Sequence, residues 1–161
     1  MPENLHIHDV QILEILQADA TRSLESISEE IGVSLNTCWR RVRKLETDGV
    51  LERRVALVDN TKIGLPMTVF VSACTNDHSK NWADRFAKVV SGIPEIVEFY
   101  RLAGDVDYIL KIMVGSMSDY DRVYKNLISK VSLSDVSARF AMEKLKSTTE
   151  LPVRQALRRR N

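Results

Sequence analysis

The chain has 161 residues, 44% of them hydrophobic and 28% charged, with a net charge of +1. That balance suits one large globular domain or two small ones and argues against disordered and fibrous classes. No apolar run approaches the roughly 20 residues a membrane helix needs, the polar start MPENLHIHD is unlike a secretory signal, and Cys38 and Cys74 form neither a metal-like spacing nor a disulfide framework, so a reduced cytoplasmic protein is expected.

Three short helices are predicted first. Residues 6–18 place Ile12, Leu13 and Leu16 on one stripe. Ser23 can cap a second helix with Leu24, Ile27 and Ile31 on its inner face, and Gly32 suits the position just past its end. Ser34 can cap a third helix running to about Asp48, with Leu35, Cys38, Val42 and Leu45 inward at spacings of 3, 4 and 3. Gly49 stops it. LERRVALV then reads as a strand, and IGLP before Met67 reads as a boundary, which predicts domains at 1–65 and 66–161.

Charge is concentrated locally. Residues 1–65 carry 8 Lys/Arg against 11 Asp/Glu, yet residues 36–54 carry six basic residues against three acidic ones. Two helices joined by Gly32-Val33-Ser34 form the frame of a helix-turn-helix. With the apolar face inward, Asn36, Arg40, Arg43 and Thr47 point outward, and Trp39 and Arg41 lie on the flanks. Arginine can pair with guanine and asparagine with adenine, whereas other cations meet phosphates, which position without specifying. The candidate DNA-binding residues are therefore Ser34, Asn36, Thr37, Trp39, Arg40, Arg41, Arg43 and Lys44, with Arg53 and Arg54 on a wing. Trp39 also reads as a packing residue. The tail arginines Arg154, Arg158, Arg159 and Arg160 read as a solvated tail, with auxiliary phosphate contact as the alternative.

The second half repeats a β-α-β pattern. MTVFVSACT, EIVEFYRLA, VDYILKIMV and DVSARFAMEK read as strands, and WADRFAKVVSGI and DYDRVYKNLISKV as helices. This is the split βαβ, or ferredoxin-like, βαββαβ arrangement, and the whole chain is expected in the α+β class. Gly104-Asp105 should join the second and third strands in a hairpin. On the third strand Tyr108, Leu110, Ile112 and Val114 alternate with Ile109, Lys111 and Met113. Both faces look largely apolar, so a homodimer packed sheet to sheet is expected.

LAGDVDY is the unusual loop of this half. Gly104 can take a positive φ, and Asp105 and Asp107 flank a valine. Hairpin chemistry explains this pattern, and so does a site for the charged groups of an amino acid. A paired-carboxylate metal site is a third reading, but it needs a further carboxylate and a phosphate-holding loop. No glycine-rich phosphate motif, nucleophile elbow or HExxH is present, and His6, His8 and His78 are scattered among polar residues. No catalytic residue, metal or cofactor is expected, and the chain does not read as an enzyme.

GVSLNTCWRRVRKLETDGVL, RVALVDNTKIGL, LAGDVDYILK and RFAMEKLK together resemble the Lrp/AsnC family of transcriptional regulators, from about Leu5 to Val153. The resemblance implies an N-terminal winged helix-turn-helix and a C-terminal ferredoxin-like domain that dimerises and senses amino acids. Family members often carry proline before the recognition-helix cysteine, where this chain has Thr37. The resemblance places the effector at an interface between dimers in a larger ring, expected to be an octamer. By motif matching the effector candidates are Leu102, Gly104, Asp105, Asp107 and Tyr108, and more loosely Met117, Arg139 and Phe140. RVALVDNTKIGL and AMEKLKSTTELPV look closest to members concerned with sulfur amino acids. The expected function is a cytoplasmic, nucleoid-associated regulator of double-stranded DNA whose assembly or DNA affinity responds to a small amino acid. The alternative is a constitutive architectural DNA binder without a ligand.

Overall fold

The structure is a computed structural model and describes residues 5–155, so Arg158, Arg159 and Arg160 lie outside the described residues. Three helices open the chain: α1 (Ile7–Ala18), α2 (Leu24–Ile31) and α3 (Leu35–Thr47). Each begins at a side chain that accepts a backbone N–H left unpaired by the first turn. His6 does this for α1 within a capping box, its own N–H donating to the Asp9 carboxylate at 2.8 Å. Ser23 accepts from Ser26 N–H and Ser34 from Thr37 N–H, both at 3.2 Å. Gly32 ends α2 with φ at 71°, a left-handed conformation that other residues adopt at a cost.

Ile12, Leu13 and Leu16 of α1, Ile27 and Ile31 of α2, and Cys38, Val42 and Leu45 of α3 form one core. Burial pushes the Cys38 thiol pKa up, so this cysteine is a small protonated packing residue. Leu35 departs from the predicted inner face and is 45% exposed. The buried arc of α3 is centred on Cys38, Val42 and Leu45, and Leu35 falls on its rim. The predicted strand LERRVALV is also corrected: residues 52–59 carry neither helix nor strand. A strand needs a ladder partner, and none of the described residues supplies one, which leaves Val55, Leu57 and Val58 exposed.

The second half is β1 (Met67–Cys74), α4 (Lys80–Ser91), β2 (Ile96–Arg101), β3 (Tyr108–Val114), α5 (Met117–Ile128) and β4 (Asp135–Phe140). The strands make one antiparallel sheet in the order β2-β3-β1-β4. That is the predicted βαββαβ topology. Val69, Val71 and Ala73 of β1 and Tyr108, Leu110, Ile112 and Val114 of β3 face the helices, where Trp82, Phe86 and Val90 of α4 and Val123 and Leu127 of α5 complete a second core. The opposite face is more polar than the strand-three pattern suggests. Lys111 Nζ lies 2.7 Å from Glu98 Oε1, and Arg139 donates to Ser72 Oγ at 2.8 Å. Hydrogen bonding from Lys111 holds the Glu98 carboxyl below the usual glutamate range. Phe70, Ile109 and Met113 stand among these polar groups, partly or largely open.

The chain divides into two compact units, and the division departs from the expected boundary near residue 65. Residues 58–65 go with the sheet unit. Among the described residues, 146–155 go with the three helices. Val153 packs on the three-helix core. Leu151 N–H donates to Gln17 Oε1 at 2.7 Å while Gln17 Nε2 donates to Leu151 O at 3.2 Å, and Arg154 Nη2 meets Glu14 Oε2 at 3.0 Å. The Arg154 hydrogen bond lowers the Glu14 pKa, so this tie is present above the ordinary glutamate pKa and fades as pH falls through the lowered value. Val153→Asp should destabilise the helical unit by about 1–2 kcal/mol through lost apolar burial. Trp39 fluorescence in a Trp82→Phe background should report an earlier urea midpoint; an unmoved midpoint would show the segment to be dispensable.

Candidate DNA-binding and effector surfaces

The outer face of α3 is built by its caps and its inner apolar triad. Ser34 is fixed as the cap, and its hydroxyl also donates to Thr37 Oγ1 at 2.9 Å, so both residues shape the helix start. Asn36, Arg40 and Arg43 are exposed. Among the described residues no side chain binds Arg40 or Arg53. Arg43 Nη1 lies 3.5 Å from Glu46 Oε2, and its Cζ is 5.9 Å from the centre of the Trp39 ring. Lys44 pairs with Asp48 at 2.8 Å, and Arg54 reaches Glu46 Oε1 at 3.3 Å. These exposed pairs are worth little and can exchange for phosphate.

Arg41 is different. Its Nη1 donates to Asp9 Oδ1 at 3.0 Å, and the two side chains are 25% and 12% exposed. The other Asp9 oxygen caps α1 through His6 N–H, so Asp9 ties the start of α1 to α3. Arg41 therefore fixes the orientation of α3, which sequence periodicity placed only on a flank. The spacing of His6 and Asp9 is a capping-box signal that could have singled out Asp9; its partner on α3 carries no local signal.

The effector candidates fall into separate places. Leu102, Gly104, Asp105 and Asp107 lie on the six-residue connection between β2 and β3, and Gly104 has φ at 137°. Asp107 Oδ2 accepts from Thr75 N–H at 2.9 Å, its Oδ1 is 3.8 Å from His78 Nδ1, and its own carbonyl accepts from Leu102 N–H at 2.8 Å. Asp107 thus orders two loops at once, and Thr75 and His78 join the site although no motif marked them. The Asp105 side chain is exposed, while its carbonyl lies 3.6 Å from Cys74 Sγ.

Tyr108 is corrected as a loop residue. Its ring is 6% exposed, stacks on Phe99 at 5.4 Å and meets Phe86 at 5.1 Å in the core, because position 108 shares the inward parity of Leu110 and Ile112. Met117 begins α5 beyond the far end of β3, about 20 Å from the loop at 3.3 Å per strand residue. Phe140, at the end of β4, packs against Tyr120 of the same helix at 5.3 Å. Arg139, one residue earlier, points to the other face, toward Ser72. One chain does not gather all eight candidates.

Comparison with known proteins agrees with both halves. A winged helix-turn-helix DNA-binding family matches residues 5–52, and the Lrp/AsnC ligand binding domain matches residues 68–151. The chain is 53% identical over 153 residues to a glutamate uptake regulatory protein of Zymomonas mobilis, covering 95% of this chain and 93% of that one. It is similar to the crystal structure of an AsnC family transcriptional regulator from Agrobacterium tumefaciens, with TM-score 0.90, 48% identity, and coverage of 94% and 99% of the two chains. It is also similar to a transcriptional regulator of Neisseria meningitidis solved as an L-Met complex, with TM-score 0.88, 27% identity, and coverage of 94% and 98%. These are regulators and not enzymes, and among the described residues no helix is long and apolar enough to cross a membrane. An N-terminal winged helix-turn-helix joined to an Lrp/AsnC ligand binding domain makes this chain a DNA-binding transcriptional regulator, and it belongs to the Lrp/AsnC family.

Proposed function

We propose that α3 enters the major groove, that Asn36 and Arg40 contact base edges, and that Arg43, Lys44, Arg53 and Arg54 contact phosphates. The support is geometric: Asn36 and Arg40 stand outward on the first two turns of α3, while Arg41 is withdrawn to Asp9. The protein acts in the cytoplasm on chromosomal DNA. It works as a homodimer that builds a larger ring, with the exposed Phe70 side of the sheet as the first contact.

The effector is a free amino acid, held between subunits. The observation that carries this reading is the separation of the candidates. The Gly104–Asp107 loop lies at one end of the sheet, and Met117, at the start of α5, and Phe140, at the end of β4, lie at the other, so only two copies can bring such halves together. Asp105 offers an open carboxylate to the ammonium group, and Asp107 holds the loop through Thr75. The L-Met complex of the similar Neisseria meningitidis regulator supports an amino acid as the ligand class. Sulfur-containing amino acids are the first candidates. Such a ligand acts by binding alternative assemblies with different affinity.

Asp107→Ala should release Thr75 N–H and lower amino-acid affinity at least tenfold, the cost of about 1.4 kcal/mol for one lost charge-assisted hydrogen bond. Basal DNA binding should be unchanged. Calorimetry with L-methionine, L-cysteine, L-leucine and L-glutamate on wild type and variant checks this. Equal affinity in both proteins moves the site elsewhere. No heat with any amino acid, beside intact DNA binding, supports the constitutive architectural reading.

A further inference from the structure

Leu35 and Trp39 remain unexplained by the three-helix core. They are 45% and 49% exposed, one helical turn apart on the same flank of α3. With Leu24, Glu25 and Asn36 they line an open groove between the starts of α2 and α3. Single exposed apolar residues are ordinary, but here two large ones adjoin each other beside the outward Asn36. The Arg43 guanidinium carbon lies 5.9 Å from the centre of the Trp39 ring, and the half-exposed indole also lines the groove.

We propose that Leu35 and Trp39 read the 5-methyl groups of thymine in the operator. The inference rests on the reading of α3 as the helix in the major groove and names a further specificity-determining contact of that site. The first two turns of such a helix reach base edges, and the thymine methyl is the one apolar group that the major groove displays. Glu25 favours this occupant over the sugar-phosphate chain, because a carboxylate beside the groove repels phosphate and leaves a neutral methyl indifferent. Asn36, next to Leu35, is placed to pair with adenine, so A·T steps suit the whole patch.

The test uses duplexes that the full-length chain selects from a random library, with each thymine replaced in turn by deoxyuridine. The substitution removes one methyl group and keeps every hydrogen-bonding atom. For wild type, one or two positions per half-site should weaken binding about fourfold each, the value of one buried methyl. Trp39→Ala should lose that sensitivity while keeping the wild-type salt slope, since no phosphate contact is removed, and Trp39→Phe should retain part of it. Leu35→Ser secures the result if Trp39→Ala lowers stability. Selected sites whose thymines all tolerate deoxyuridine overturn the inference and leave DNA binding standing, as does full methyl sensitivity in Trp39→Ala. Failure to select any duplex removes the major-groove reading and this inference with it.

Discussion

Raising monovalent salt from about 50 to 200 mM should weaken binding of the proposed dimer to its operator roughly ten-thousandfold. Each copy presents Arg43, Lys44, Arg53 and Arg54 beside the outward face of α3. About four phosphate contacts per copy, doubled in the proposed dimer, release counterions that added salt makes costlier to release. Residues 1–65 are net acidic even with this cluster counted, with 8 basic against 11 acidic residues, so attraction depends on the local cluster and not on total charge. Arg43→Ala should flatten the salt slope by about one per bound copy and weaken all sequences alike. Arg40→Ala should leave the slope closer to wild type and relax one base position by about 1–3 kcal/mol. Fluorescence anisotropy across a salt series checks both. A slope half as steep would show a single copy bound, and identical base preferences for wild type and Arg40→Ala would reassign the reader.

Phe86→Ala should destabilise the sheet unit by about 3–5 kcal/mol, a large part of the total stability of a domain this size. Phe86 is fully buried and central: its ring meets Trp82 at 5.0 Å, Phe99 at 5.1 Å and Tyr108 at 5.1 Å. Close-packed surroundings relax only partly into the space a deleted ring leaves, so a cavity remains. The three-helix unit has its own core. Trp82 fluorescence in a Trp39→Phe background should therefore show an early transition while Trp39, observed in a Trp82→Phe background, melts close to its usual midpoint. A common, equally lowered midpoint for both probes would make the two units one cooperative system. If the effector site sits on the sheet unit, the same variant should lose amino-acid response before DNA affinity.

Features set by short-range chemistry were legible in the sequence. Ser23, Ser34 and Gly32 mark the helix ends because capping involves residues three or four apart. The Cys38, Val42 and Leu45 spacing sets which face of α3 turns outward, and with it the candidate DNA readers. Alternation along four apolar runs, with two helical runs between them, specifies βαββαβ, and one topology rule then orders the sheet. The family resemblance reached the same two-domain reading from four motifs.

Choices between distant partners were left to the tertiary structure. Helical periodicity set Arg43 outward and Arg41 on a flank; only the packing of α1 on α3 brings Asp9 to Arg41 and gives it a partner. Tyr108 adjoins the loop in sequence, yet strand parity turns its ring into the core. LERRVALV has the composition of a strand and no ladder to join among the described residues, since pairing is a property of two segments and not of one. Val153 and Arg154 read as tail, and only the fold returns them to α1, 140 residues away from Glu14, where a valine finds a core and an arginine a carboxylate. A period of 3.6 or 2 states which face a residue occupies; what meets that face is decided by chain closure over long separations, which no local pattern encodes.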